Sequence, residues 1–180
     1  MPMLGKAAPD FALEGYFNGK FGEWKLADVL KSGKWAVLFT YPLDFTFVCP
    51  TEIRSFNEHY DQFREMNCEV FGISTDSKFS HKAWIEQDPG KGGLGALRFP
   101  LLSDTGRDFS EKYDVLIPGK GFTYRGVFVV DPQGKVRYQL VHDTGIGRST
   151  DEIVRVVQAL QSGELCPAGW KPGEKTLGKA

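Results

Sequence analysis

Hydrophobic and polar positions alternate with two different periods along this chain. Residues 34–41 (KWAVLFTY) form a continuous apolar run rich in aromatic and β-branched types, which predicts a central strand buried on both faces and stopped by Pro42. Residues 69–75 (EVFGIST) predict a second buried strand. From residue 50 to 66 the period changes. Ile53, Phe56, Tyr60 and Phe63 recur every three or four positions, the stripe of an amphipathic helix. Pro50 suits its first position, where the missing N–H has no helical partner to lose. Residues 77–87 read as a helix with Phe79, Ala83 and Trp84 inward, and 88–95 as a Gly-rich loop. Shorter elements are an extended segment at 11–15, a helical turn within 24–30, a strand at 99–103 and a helix at 108–113. Residues 125–130 and 135–141 are strands joined by Asp131-Pro132-Gln133-Gly134, a turn with Pro second and Gly fourth. Ser149 and Glu152 form a capping box, Ile153, Val156, Val157 and Leu160 stripe the helix after it, and Gly163 ends it. This order predicts an α/β fold, a mixed central sheet with helices on both faces. We divide it into a domain over 1–163 and an irregular C-terminal tail over 164–180, expected to dock only on a partner.

Composition narrows the function. A chain of 180 residues fits one domain with a real core, and a net charge of −1 gives no electrostatic case for nucleic acid or an anionic membrane. The first residues lack the apolar run of a signal peptide and no stretch has the length of a membrane span, so a cytoplasmic location is expected. Three cysteines without a CxxC pair, and three histidines without metal-ligand spacing, argue against a disulfide framework and a metal site.

Cys49 stands between the strand ending at Tyr41 and the helix beginning at Pro50, near the positive end of a helix dipole. Such a site favours a thiolate. A free cysteine is also often a small buried hydrophobe. Thr46 is close enough in sequence for its hydroxyl to reach the sulfur, or it serves as a helix cap.

The pattern around Cys49 decides between these. Pro42-x-x-x-Thr46-x-x-Cys49 followed by Pro50-Thr51-Glu52 resembles the active-site signature of the peroxiredoxins. DFTFVCPTE at 44–52 is similar to the typical two-cysteine subfamily, which includes the peroxidase subunits of alkyl hydroperoxide reductase. FTYRG at 122–126 resembles the segment carrying the active-site arginine, here Arg125. VHDTGIGRS at 141–149 resembles the segment of a further arginine, Arg148, and ELCPAGW at 164–170 that of the resolving cysteine, Cys166. The resemblance spans nearly the whole chain.

It implies a thioredoxin-like fold and reduction of hydrogen peroxide or organic hydroperoxides, with no metal, haem or flavin cofactor on the chain. Cys49 would become a sulfenic acid and Cys166 would close a disulfide with it. In the family Cys166 belongs to a second subunit; an intrachain bridge would require the tail to fold back. Full conversion of an ordinary thiol to thiolate at pH 7 gains only about 30-fold, roughly 2 kcal/mol. Donors aimed at the breaking O–O bond must therefore supply most of the rate. Arg125, Thr46 and the Cys49 N–H fit that role, with Pro42 shielding the sulfur and Glu52 and Arg148 holding Arg125. Tyr41 contacts the site or ends the strand. Cys68 matches neither cysteine motif and reads as packing. The resemblance also implies a protein dithiol reductant (thioredoxin or a flavin disulfide reductase) and a homodimer assembling to a decamer. A ring-forming holdase chaperone is the alternative function. Gly92-Gly93-Leu94-Gly95 matches a loop that some members pair with a C-terminal Tyr-Phe helix and high overoxidation sensitivity; the final residues here contain no Tyr-Phe, so a robust enzyme is expected.

Overall fold

The computed structural model describes residues 2–179. A hairpin of β1 (Ala12–Phe17) and β2 (Lys20–Lys25) leads through α1 (Leu26–Lys31) to β3 (Trp35–Thr40). Then follow α2 (Cys49–Glu58), α3 (Tyr60–Glu65), β4 (Cys68–Ser74), α4 (Lys78–Glu86), β5 (Leu101–Ser103) and α5 (Asp108–Lys112). β6 (Arg125–Val130), β7 (Val136–His142) and α6 (Thr150–Ser162) complete the fold. The strands form one sheet in the order β2-β1-β5-β4-β3-β6-β7. β3 runs parallel to β4 and antiparallel to β6, so the sheet is mixed as its sequence predicts.

Strand alternation divides the core in two. Val37 and Phe39 of β3 face a cluster with Ile53, Phe56, Trp84 and Val157; Ala36 and Leu38 face the opposite cluster with Leu26, Phe71, Phe109 and Phe128. Phe39 stacks on Phe56 at 4.1 Å between ring centroids, which seats α2 on the central strand. No helix among the described residues is long and apolar enough to cross a membrane.

Several local expectations are corrected. The helix expected over 50–66 begins one residue earlier, at Cys49, and is interrupted at His59 (φ −86°, ψ 3°). The interruption keeps its stripe on the sheet, with Phe63 stacked against Phe56 at 6.0 Å. On α4 the inward residues are His81 and Trp84, because His81 turns in to meet Asp44 and the Leu102 carbonyl. Phe79 is left 63% exposed and Ala83 is also exposed. On α6, Val154 takes the buried place expected of Val156. Trp24 belongs to β2, and the helix after it starts at Leu26. The tail is irregular but packs on its own chain: Trp170 is buried and its carbonyl accepts from Arg155 Nη1 at 3.1 Å.

Candidate active site

β3 delivers the chain to a loop at 42–48, and α2 starts at its end with Cys49 as its first residue. β6 lies beside β3, which places Arg125, its first residue, across from that helix start. Pro42, Thr46, Cys49 and Arg125 come together around one open cavity of about 260 Å³, which Phe122 and Thr144 also line. Cys49 is 1% exposed. Arg125 Nη1 donates to its sulfur at 3.4 Å and also to Glu52; Arg125 Nε donates to the Thr144 carbonyl at 2.9 Å.

Glu52, one turn into α2, is shared by two arginines. Its Oε1 accepts from the Arg148 backbone N–H at 2.8 Å and from Arg148 Nε at 2.7 Å, and its Oε2 from Arg148 Nη2 at 2.9 Å. Arg148 Nη1 donates to the carbonyls of Thr40 and Gly126, each at 2.7 Å, and the guanidinium lies 5.5 Å from the Phe39 ring centroid. Burial pushes the Arg148 pKa below the usual arginine value, and the Glu52 carboxylate opposes that shift. A fully buried guanidinium is tolerated here because its donors meet carboxylate or carbonyl oxygen.

The helix start itself offers the sulfur less than the sequence suggests. Pro50 has no N–H, and the N–H groups of Thr51 and Glu52 turn back to the Val48 carbonyl at 3.1 and 3.3 Å. The positive charge at Cys49 is therefore mainly the guanidinium. Thr46 is not the helix cap; Val48 is, and it makes no side-chain capping bond. The Thr46 hydroxyl donates its proton to the Leu43 carbonyl at 2.9 Å, so toward the cavity it presents oxygen lone pairs.

Tyr41 does not line the cavity, and its hydroxyl donates to Asp44 Oδ1 at 2.9 Å in a buried group with His81. Burial, reinforced by the Asp44 charge, pushes its phenol well above the usual range. Cys68 is buried at the start of β4, where burial pushes its thiol far up, as a packing residue requires. Cys166 is half-buried in the tail, its sulfur 3.7 Å from both Ser162 Oγ and the Glu164 carbonyl. The three cysteines are free thiols. Sequence reasoning missed Thr40 and Thr144, whose carbonyls accept from Arg148 and Arg125. It also missed Asp44 and His81, whose partnership spans 37 positions. No cluster of ligand residues able to hold a metal occurs among the described residues.

Comparison with known proteins gives a consistent result. The AhpC/TSA family profile matches residues 4–139, and the profile of the C-terminal domain of 1-Cys peroxiredoxin matches residues 159–180. The chain is 50% identical to a putative peroxiredoxin, YkuU, of Bacillus subtilis (strain 168), over 97% of this chain and 98% of that protein. It is 52% identical to peroxiredoxin-2 of Cricetulus griseus, over 97% of this chain and 89% of that one. The crystal structure of reduced Plasmodium vivax 2-Cys peroxiredoxin superposes with a TM-score of 0.94 at 40% identity, covering 98% of this chain and 93% of that chain.

Proposed function

The chain belongs to the AhpC/TSA family, the peroxiredoxins, and from that premise we propose how its own residues divide the work of a thiol-dependent peroxidase. Cys49 is the peroxidatic nucleophile. Its thiolate attacks one oxygen of ROOH, the O–O bond breaks, and the leaving alkoxide takes up a proton as ROH. Cys49 is left as a sulfenic acid. Arg125 touches the sulfur and is placed to stabilise the charge on the separating oxygens; Thr46 accepts the hydrogen bond of the bound hydroperoxide; Pro42 keeps water off the sulfur. Glu52 and Arg148 hold Arg125 in place, and Tyr41 steadies the loop through Asp44. The Cys166 thiolate then attacks the sulfenic sulfur, a disulfide forms, and hydroxide leaves as water.

The observation that carries this reading is the 3.4 Å contact between Arg125 and the sulfur of Cys49 inside a small cavity. Cys49 is enclosed and Cys166 has neighbours of its own, so both segments move before a disulfide forms. The family resemblance assigns that bridge to a second subunit. We assign the body over 1–163 to the peroxide step and the tail over 164–180 to the disulfide step. A homodimer, further assembly to a decamer, a cytoplasmic location and reduction by thioredoxin or a flavin disulfide reductase complete the proposal. No observation favours the holdase alternative.

One equivalent of peroxide followed by a non-reducing gel tests the assignment. Wild type and Cys68→Ser are expected to give a covalent dimer; Cys49→Ser and Cys166→Ser are not. A covalent dimer that survives Cys166→Ser would overturn the resolving role, and peroxide consumption unaffected by Cys49→Ser would overturn the whole scheme.

A further inference from the structure

The tail that carries Cys166 is attached to the body with little buried surface. Trp170 is its one buried side chain among residues 164–179. Most of its hydrogen bonds stay within the tail: Leu165 pairs with Leu177 and Gly178, Thr176 Oγ1 donates to Glu164, and Trp170 Nε1 donates to the Glu174 carbonyl. Arg155, in the middle of α6, reaches across to this segment. Its Nη1 donates to the Trp170 carbonyl at 3.1 Å. Its other edge is fixed by Glu152, with Nε and Nη2 on the two carboxylate oxygens at 2.6 and 2.7 Å. Arg155 is thus a rigid fork with one prong on the turn between Cys166 and Trp170.

Within the tail, Glu164 accepts from Thr176 Oγ1 and Glu174 from the Lys171 N–H. The sulfur of Cys166 has neutral neighbours, Ser162 Oγ and the Glu164 carbonyl. Arg155 therefore joins the segment to α6 through the peptide at Trp170, four residues beyond the sulfur.

We propose that Arg155 is a positioning residue for the disulfide-forming step, holding the Cys166–Trp170 turn in place through the Trp170 carbonyl. This rests on the reading of Cys166 as the resolving cysteine. Resolution is faster when the attacking sulfur is confined to a restricted place. Arg155 lies outside the peroxide cavity, so the first step does not depend on it.

Stopped-flow fluorescence of the reduced full-length protein, mixed with hydrogen peroxide, separates sulfenic acid formation from disulfide formation. Arg155→Met is expected to leave the peroxide-dependent phase unchanged and to slow the disulfide phase roughly three- to tenfold, the loss of about one hydrogen bond. Arg155→Lys, which can still donate to the Trp170 carbonyl, is expected to restore part of the lost rate. A general loss of structure would slow both phases alike. An unchanged disulfide phase in Arg155→Met, or a peroxide phase slowed to the same degree, overturns the proposal. Cys166→Ser run in parallel keeps the two readings apart: if it still forms the disulfide, the resolving assignment has failed, whatever Arg155 does.

Discussion

Glu52 sits between Arg125 and Arg148, and all three side chains are no more than 3% exposed. Removing one member of a buried ionic set leaves the others without compensation, which typically destabilises by about 3–5 kcal/mol. Glu52→Ala is therefore expected to lower the unfolding free energy from urea denaturation by an amount in that range and to depress peroxide turnover, since Arg125 loses the partner that aims it. Glu52→Gln, which keeps the volume and removes the charge, should retain most of that loss; a Glu52→Gln variant as stable as wild type would count against the ionic account. Cys68 supports a second expectation. Burial pushes its thiol far above the usual range, so iodoacetamide at pH 8 should label Cys166 in the folded, reduced protein and leave Cys68 unmodified by peptide mass mapping. At this scale Pro42, Thr46, Cys49 and Arg125, which gather around one cavity, were legible through the family resemblance of the segments that carry them. Thr40 and Thr144 were not, because the carbonyl each supplies is common to every residue.

Elements differ from their sequence expectations where a tertiary contact outbids a period. The break at His59 and the rotation of α4 about His81 are both of this kind: each histidine finds partners far along the chain, and helical spacing alone cannot announce them. His59 links α2 to α6. Its Nδ1 lies 2.7 Å from the Ser55 carbonyl and its Nε2 2.9 Å from Asp151. Burial works against the cation, but the Ser55 and Asp151 contacts outweigh it and raise the pKa above the ordinary histidine value. A raised histidine stabilises the fold fully below its unfolded pKa of about 6.5, and that contribution fades as pH rises through the folded value. Asp151 is 88% exposed, so solvent screening holds the effect below about 1 kcal/mol. Unfolding curves between pH 6 and 8 should show wild type losing this margin relative to His59→Gln; parallel curves would exclude the link. In the Gly-rich loop, a Cβ on Gly93 would lie 1.9 Å from the Gln87 carbonyl oxygen. Gly93→Ala is expected to destabilise by about 1–3 kcal/mol in chemical denaturation, and to loosen the bond from Arg54 on α2 to the Gly93 carbonyl.

For the molecule as a whole, the mixed sheet and its two-sided core were readable from apolar runs and periods, since burial on both faces imposes continuous hydrophobicity on β3, β4 and β6. Strand order was not, because β1 and β2 reach the sheet through β5 and not through their sequence neighbour β3. The tail was expected to wait for a partner; one tryptophan and one arginine are enough to lay it on its own domain.

Electroneutrality ties these scales together. Around the cavity stand two cations, Arg125 and Arg148, and the carboxylate of Glu52. In the scheme proposed above, the Cys49 thiolate is the second anion. Its conversion to a neutral sulfenic acid would leave one positive charge uncompensated at a buried site. The oxidation would then weaken the attraction between Arg125 and the sulfur. On that scheme the first step carries its own signal of completion, written in the charge of the sulfur that performs it.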